Sequence, residues 1–179
     1  MRVISGLYKG RVIDGFDIDG TRPTQDRVKE SLFGSIQDYI EDSVVLDLFS
    51  GSGNLGIEAL SNGAKECFFV DNNKEAIKVI NSNLSKIGIS SNVLHKDFKD
   101  ALEYFKSNNI KFDLVFLDPP YKDDYIDYSI DYLLNNNLLN DKSIIVSEFE
   151  NNIKTDYKEL SIKKEKKLGY KKIVIFKKI

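Results

Sequence analysis

The part of this chain with the clearest chemical potential is residues 115–121, where an apolar run ends in one acid, two prolines and an aromatic residue. Each proline fixes its φ angle and lacks an N–H, so a buried strand has to stop there. A carboxylate and a carbonyl at a strand tip can accept the two protons of an amino group, and a ring can stack on its base. We therefore predict a grip for a planar amine, formed by Asp118, Pro119, Pro120 and Tyr121. For Tyr121, packing against the strand end is the simpler alternative.

A glycine turn between a predicted strand and a predicted helix could supply the second half of a site. Gly51, Gly53 and Gly56 form the pattern G-x-G-x-x-G, and Asp71 ends the next strand twenty residues after Gly51. Glycines let the backbone approach a ligand closely, and a carboxylate at this spacing can bind both hydroxyls of a ribose. The pattern predicts a nucleoside site, although a dinucleotide fits it as well as any other adenosine ligand. A tight turn with Asp71 at the helix start is the alternative without a ligand.

Three further residues favour one ligand. Asp47 precedes the first glycine by four residues, and a carboxylate there would repel a pyrophosphate but could orient the ammonium of an amino acid. Asp97 and Phe98 follow the third predicted parallel strand, where a carboxylate can accept from an adenine amino group and a phenyl ring can cover the base. Asp97 can equally cap a helix. Adenosine and an amino acid together describe S-adenosylmethionine, so we predict this cofactor.

Strands and helices alternate through the middle of the chain, which predicts an α/β fold with a parallel sheet covered on both faces. The predicted strands are residues 44–48, 67–71, 92–95, 112–117 and 143–147. The predicted helices are one that ends at residue 60, followed by residues 74–86, 99–106 and 125–134. Two last strands, at 159–166 and 170–177, turn at Gly169 and predict a closing antiparallel hairpin.

The N-terminal part precedes the alternating units. Residues 2–5 and 10–13 are short β-like runs around a glycine-containing turn, and they predict a small hairpin. A helix is predicted to follow, extending to about Tyr39 with Thr24 as its N-cap.

Length and composition limit the class of protein. The chain has 179 residues, of which 41% are hydrophobic and 30% are charged, a balance typical of one soluble domain. Cys67 and His95 are the only residues of their kinds, which excludes an internal disulfide and argues against a cysteine- or histidine-rich metal site. We predict no metal, with Cys67 in a strand core and His95 on the surface at a strand end. The absence of a long apolar run or signal peptide favours a cytoplasmic protein, with a monomer as the default.

The small net charge of −2 conceals an uneven distribution. The two ends of the chain, residues 1–29 and 154–179, are basic, and the middle is acidic. A lysine-rich closing hairpin can be explained by protection of an exposed strand edge. The alternative is a surface that contacts the phosphates of a nucleic acid.

The core motifs, taken in order, resemble those of methyltransferases that use S-adenosylmethionine to methylate amino groups. The resemblance is carried by D-x-F-x-G-x-G from Asp47, by Asp71, by D-F at Asp97 and by D-P-P-Y from Asp118. It implies a class I Rossmann-like fold with a seven-stranded, mainly parallel sheet and a C-terminal antiparallel hairpin. It also implies S-adenosylhomocysteine as product. The cofactor contacts that it implies are Asp47, Phe49, Gly51, Gly53, Asp71, Asn72, Asp97, Phe98 and Thr24.

The N-terminal segments R-V-I-S-G-x-x-K-G-R (residues 2–11) and R-P-T-x-D-R-V-K-E-S-L-F (residues 22–33) resemble the bacterial RsmD-like family. That family methylates N2 of guanine 966 in 16S rRNA, in the usual ribosomal numbering. The resemblance implies one methyltransferase domain, with residues 1–40 as an extension that contacts RNA and gates the cofactor. The implied partner is 16S rRNA or a small-subunit assembly intermediate. The candidate RNA contacts are Arg2, Lys9, Arg11, Arg22 and Arg27, although the last two could be plain surface charge.

Three alternatives stay open on the sequence. An adenine N6 methyltransferase acting on DNA or RNA would keep every core motif, but this chain has no room for a separate target-recognition domain. A nicotinamide-dependent oxidoreductase would use the same glycine pattern, but Asp47 and the D-P-P-Y tip count against it. A catalytically silent RNA-binding relative is disfavoured because the D-P-P-Y tip is intact.

Overall fold

The computed structural model describes residues 1–16, 26–120 and 123–179, and its centre is a seven-stranded sheet. The strands lie in the order β3-β2-β1-β4-β5-β7-β6. Their bounds are β1 (Val44–Asp47), β2 (Glu66–Asp71), β3 (Asn92–His95), β4 (Phe112–Leu117), β5 (Leu139–Phe149), β6 (Leu160–Leu168) and β7 (Lys171–Lys178). The first five are parallel, and β7 pairs antiparallel with both β5 and β6, which confirms the predicted fold class.

The described helices cover both faces of the sheet. They are α1 (Asp26–Ile36), extended by a 3-10 turn (Gln37–Tyr39), α2 (Asn54–Ser61), α3 (Lys74–Ile87), α4 (Phe98–Ser107) and α5 (Asp123–Asn135). One apolar core packs α4 and α5 against one face, and a second core packs α1, α2 and α3 against the other. Among the described helices, none has the length and apolar character that crossing a membrane requires.

The strand order creates a crevice at one edge of the sheet. β1 and β4 are neighbours, but the helix that follows β1 and the helix that follows β4 pack on opposite faces. In open α/β sheets, the carboxyl ends of the strands at such a switch point are where ligands bind. The glycine turn and Asp118 follow these two strands directly, so the fold brings both halves of the predicted site to the same place.

Two predicted elements differ from the structure in extent. β5 is longer than predicted, because Leu139 already pairs with Phe112 before a register shift in the β4–β5 ladder. The predicted N-terminal hairpin forms without regular strands: one antiparallel bridge joins Arg2 and Val12, and the Val3 N–H donates to the Arg11 carbonyl at 2.9 Å. The predicted N-cap Thr24 lies outside the described residues.

A buried ion pair fastens the N-terminal segment to the sheet domain. Lys29 of α1 is fully buried, and its Nζ lies 3.0 Å from Glu58 Oε1 of α2. The same ammonium donates to Asn54 Oδ1 at 2.6 Å and to the Arg2 carbonyl at 2.8 Å. Glu58 in turn accepts the Ile4 N–H at 2.9 Å. One charged pair therefore joins α1, α2 and the first residues of the chain.

Replacing Lys29 by Met should strongly destabilise the protein, because the Glu58 carboxylate would stay buried without its cation. Breaking a buried ion pair on one side costs about 3–5 kcal/mol of the free energy of unfolding, which urea denaturation would measure. Lys78→Met is the matched control, because its ion pair with Glu75 is exposed and such pairs contribute about 0–1 kcal/mol. Equal losses in the two variants would contradict this account of Lys29.

Candidate active site

A cleft opens at the carboxyl edge of the sheet beside the β1–β4 switch point. The sequence-predicted residues that line it are Phe49, Asp71, Asn72, Asp97, Phe98, Asp118 and Pro120. The other lining residues were not predicted from the sequence, and they are Phe16, Leu48, Asn73, Lys96 and Tyr125. The predicted nucleoside half and the predicted amine grip therefore share one cavity.

The glycine turn needs its glycines for two different reasons. Gly51 and Gly53 have φ angles of 57° and 82°, a left-handed conformation that side chains disfavour. Gly56 lies inside α2, where an added Cβ would come within 2.3 Å of the Phe69 ring and 2.8 Å of Cys67 Sγ. The first two glycines thus shape the turn, and the third lets α2 pack closely on β2.

Asp71 lies at the end of β2 and holds the turn in place. Its Oδ2 accepts the Gly51 N–H and its Oδ1 accepts the Asn73 N–H, each at 2.9 Å. Burial raises the pKa of Asp71, although the hydrogen bonds from Asn73 and Gly51 oppose that effect. Each carboxylate oxygen has a second lone pair, so Asp71 can still accept from the hydroxyls of a ribose in the cleft.

An aromatic wall flanks the cleft. The ring of Phe98 lies 5.2 Å from that of Phe49 and 4.5 Å from that of Tyr125, measured between centroids. Phe49 and Tyr125 are nearly parallel, at 11° and 6.1 Å. Such faces suit a planar base. The sequence signal for Tyr125 was its position at the start of the helix predicted to follow the D-P-P-Y tip.

Asp97 has both of the positions that the sequence left open, beside the cleft and at the start of a helix. It lines the cleft, and it is the N-cap of α4, where its Oδ2 accepts the Lys99 N–H at 2.9 Å. The capping bond fixes the side chain beside Phe98, the first residue of α4. A carboxylate held in this position has acceptor capacity left for an amino group.

Asp47 is buried beneath the glycine turn. It is 3% exposed, and its Oδ2 accepts the Gly56 N–H at 3.1 Å. Burial raises the pKa of Asp47 to about 7, the Gly56 hydrogen bond lowers it and the neighbouring Asp71 raises it further. Asp47 thus supports the turn from behind, and its predicted contact with an ammonium stays a prediction.

The amine grip is accompanied by two charged residues that were not predicted from the sequence. Because Leu117 pairs with Ser147, Asp118 lies beside Glu148 of β5. Lys171 of β7 donates to Glu148 Oε1 at 2.9 Å. Burial and Glu148 raise the pKa of Asp118 well above its ordinary range, and Lys171 lowers it. The β4–β5 strand register was the signal that could have identified Glu148.

The prolines of the grip differ in exposure. Pro119 is buried, whereas Pro120 lines the cleft. Tyr121 lies outside the described residues, so its predicted stacking stays a prediction.

Three of the predicted RNA contacts, Arg2, Lys9 and Arg11, are not among the residues that line the cleft. Arg2, Lys9 and Arg11 are exposed, but the hairpin tip is held by Ser61, whose carbonyl accepts the Leu7 N–H at 2.7 Å. Ser61 ends α2, at the opposite end of that helix from the glycine turn. The guanidinium of Arg11 donates to the Lys86 carbonyl.

The remaining predicted residues have simple positions. Arg27 is exposed in the first turn of α1, whereas Arg22 and Thr24 lie outside the described residues. Cys67 is buried in β2, and His95 is exposed at the end of β3, as predicted. Within the described residues, no group of three or more His, Cys, Asp or Glu side chains is arranged to hold a metal ion.

Comparison with known proteins places this chain in a family. The family model described as conserved hypothetical protein 95 matches residues 1–177. The Haemophilus influenzae protein named ribosomal RNA small subunit methyltransferase D is 39% identical over 152 residues, which are 84% of this chain and 79% of that protein. The chain belongs to the RsmD-like family.

Other members and neighbours agree with this assignment. The Escherichia coli ribosomal RNA small subunit methyltransferase D is 32% identical to this RsmD-like chain, over 94% of the chain and 85% of that protein. A Salinibacter ruber RNA methyltransferase solved with S-adenosyl-L-homocysteine has a TM-score of 0.67, with coverage of 87% and 93%. At 16% identity, that structure shows a shared fold alone.

Replacing Asp47 by Asn keeps an acceptor for the Gly56 N–H but removes the titrating group. Because the folded-state pKa of about 7 exceeds the ordinary value of 3.8, the folded protein binds this proton more tightly than the unfolded chain. The resulting stability is full below about pH 4 and is lost as the pH rises through 7.

We expect the unfolding free energy of the wild type, relative to Asp47→Asn, to fall by up to about 4 kcal/mol between these pH values. Urea denaturation across the pH range measures it, with the exposed Asp38→Asn as control. A difference that does not vary with pH would refute the assignment.

Proposed function

We propose that this chain transfers a methyl group from S-adenosylmethionine to N2 of a guanine in small-subunit rRNA. The observation that supports this most directly is the shared cleft, which has Asp71 and Asp97 on the nucleoside side and Asp118 at the strand tip. Relatives named small subunit rRNA methyltransferases support the substrate class. The RNA is either free 16S rRNA or an assembly intermediate of the small subunit.

The residues around the cleft fit the cofactor. An added Cβ at Gly51 would meet nothing within 4 Å, so the space in front of the turn is open to a ligand. Asp71 would accept from the ribose hydroxyls, Asp97 would accept from the adenine amino group, and Phe98 would cover the base. Asp47, behind the turn, would attract the ammonium directly or through water. When bound, the cofactor supplies an electrophilic methyl group, and S-adenosylhomocysteine is the product.

Asp118 and the Pro119 carbonyl would make the amine reactive. The lone pair of guanine N2 is delocalised into the ring, which makes it a poor nucleophile. If Asp118 accepts one N–H and the Pro119 carbonyl accepts the other, the nitrogen is drawn towards a tetrahedral geometry and its lone pair is directed at the methyl group. In-line transfer depends mainly on this positioning. The carboxylate also stabilises the positive charge that develops on nitrogen.

The choice of guanine depends on the family, because the grip at Asp118 would hold the N6 amine of adenine equally well. In either case the base must leave its stack to reach the cleft. The nicotinamide-dependent alternative has less support, since Asp47 places a carboxylate beneath the turn that would carry a pyrophosphate. We further propose that residues 1–40 act as the extension that contacts RNA and gates the cofactor.

The product nucleoside tests the proposed reaction. Wild-type protein incubated with small-subunit rRNA and S-adenosylmethionine should yield N2-methylguanosine, detected by mass spectrometry of the digested RNA. Asp118→Asn should lower kcat by roughly 10²–10³-fold, as expected when a group that stabilises developing charge is lost. Calorimetry should show cofactor affinity retained in this variant.

Asp100 is exposed in the first turn of α4, three residues after Asp97. Asp100→Asn is therefore the matched control for a general loss of negative charge. N6-methyladenosine as the product would favour the adenine alternative. Near wild-type methylation by Asp118→Asn would remove Asp118 from the mechanism.

The N-terminal basic residues should increase RNA affinity by neutralising phosphates. Changing Arg2, Lys9 and Arg11 together to Gln should reduce the slope of log K against log salt concentration, by about 0.7–0.9 for each phosphate that is no longer neutralised. Lys78, Lys106 and Lys111, which are exposed in the acidic middle of the chain, provide a control triple variant of equal charge. An unchanged slope in the N-terminal variant would show that these residues do not bind phosphates.

A further inference from the structure

Three charged side chains form a row along the carboxyl edge of the sheet, which begins at the cleft and continues across β5 to β7. Asp118 lines the cleft, Glu148 lies behind it on β5, and Lys171 begins the neighbouring strand β7. Two strand ladders set this order, because Leu117 pairs with Ser147 and Glu148 pairs with Ile173. The strand register therefore places Glu148 and Lys171 near the residue that directly follows β4.

The row is shielded from water away from the cleft. The side chain of Glu148 is 9% exposed and that of Lys171 is 19% exposed. Lys171 Nζ donates to Glu148 Oε1 at 2.9 Å, and the β4–β5 strand register places Asp118 beside Glu148. When two carboxyl groups share one buried site, the negative charge of each favours a proton on the other. This pair is built to hold a proton.

We propose that the Asp118–Glu148 pair receives the proton released by the methylated amine, with Glu148 and Lys171 as positioning residues for Asp118. This proposal rests on the proposed function. The N2 lone pair forms the new N–C bond, and the C–S bond breaks with its electrons left on sulfur. The cationic amine then loses one proton to Asp118, which shares it with Glu148 until it passes to water.

The two positioning residues act on Asp118 in opposite directions. Burial and the Glu148 charge raise the pKa of the Asp118 carboxyl, which makes it a better proton acceptor, and Lys171 lowers it. Asp47, from β1, raises it further. Burial alone lowers the pKa of Lys171, but Asp118 and Glu148 raise it above its ordinary value, with help from Glu150. Lys171 thus stays charged, and its charge limits how tightly the Asp118–Glu148 pair binds its proton.

Two variants should shift the pH dependence of the reaction in opposite directions, which a purely structural role would not predict. Glu148→Gln keeps a hydrogen-bonding group beside Lys171 but removes the negative charge, so the acidic limb of the kcat/KM profile should move to lower pH. Lys171→Met removes the positive charge, so the same limb should move to higher pH. A neighbouring charge typically moves a pKa by about 1–3 units, and we expect shifts of this order. Glu148→Asp, which keeps the charge, should restore most of the wild-type profile.

A second measurement does not require turnover. In protein labelled with ¹³C at the aspartate carboxyl carbons, the Asp118 resonance is identified by its loss in Asp118→Asn. Its titration midpoint should fall in Glu148→Gln and rise in Lys171→Met. Glu75→Gln and Lys78→Met, from the exposed ion pair of α3, should leave both the midpoint and the pH profile unchanged.

The outcomes distinguish this proposal from the reaction on which it rests. Wild-type protein that fails to methylate rRNA would refute the proposed function, and the proton-acceptor role would fall with it. Active wild-type protein whose acidic limb and Asp118 midpoint do not move, or move in one direction in both variants, would overturn the proton-acceptor role alone.

Discussion

An ammonium group without access to water has to be neutralised by its neighbours, and Lys29 of α1 meets this requirement with groups from two other parts of the chain. Its partners are Glu58 and Asn54 of α2 and the carbonyl of Arg2. Glu58 also accepts the N–H of Ser5 at 3.0 Å. The glycine turn leads directly into the first turn of α2. The charge balance of one buried lysine therefore fixes the N-terminal segment, α1 and the helix that follows the glycine turn relative to each other.

The cleft itself is built from acids that the fold collects at one edge. Asp47, Asp71 and Asp118 all have raised pKa values, with burial as the leading cause in each. Holding such groups in a charged form is unfavourable until a cation compensates for the lost solvation. A ligand with a positive charge relieves this cost, and a pyrophosphate would increase it. The electrostatics of the edge thus agree with the choice of cofactor that the motifs favoured.

Local patterns in the sequence predicted most of the fold and seven of the residues that line the cleft. The glycine spacing, the acids at strand ends and the prolines after β4 are each decided by a few neighbouring residues. Glu148, Lys171 and Lys29 were missed because their roles arise from strand register and helix packing between residues far apart in the chain. An acid in a strand or a lysine in a helix has no distinctive sequence pattern, and only its partners reveal its role.

The aromatic wall also gives this protein an optical property. The chain has nine tyrosines and no tryptophan, so its near-ultraviolet emission comes from tyrosine alone. Tyr125 lines the cleft and lies close to two phenyl rings, in a position where a stacked base would touch it. Filling of the cleft should therefore change the contribution of Tyr125 to the protein's own fluorescence, without a label and without the tryptophan signal that hides tyrosine in most proteins.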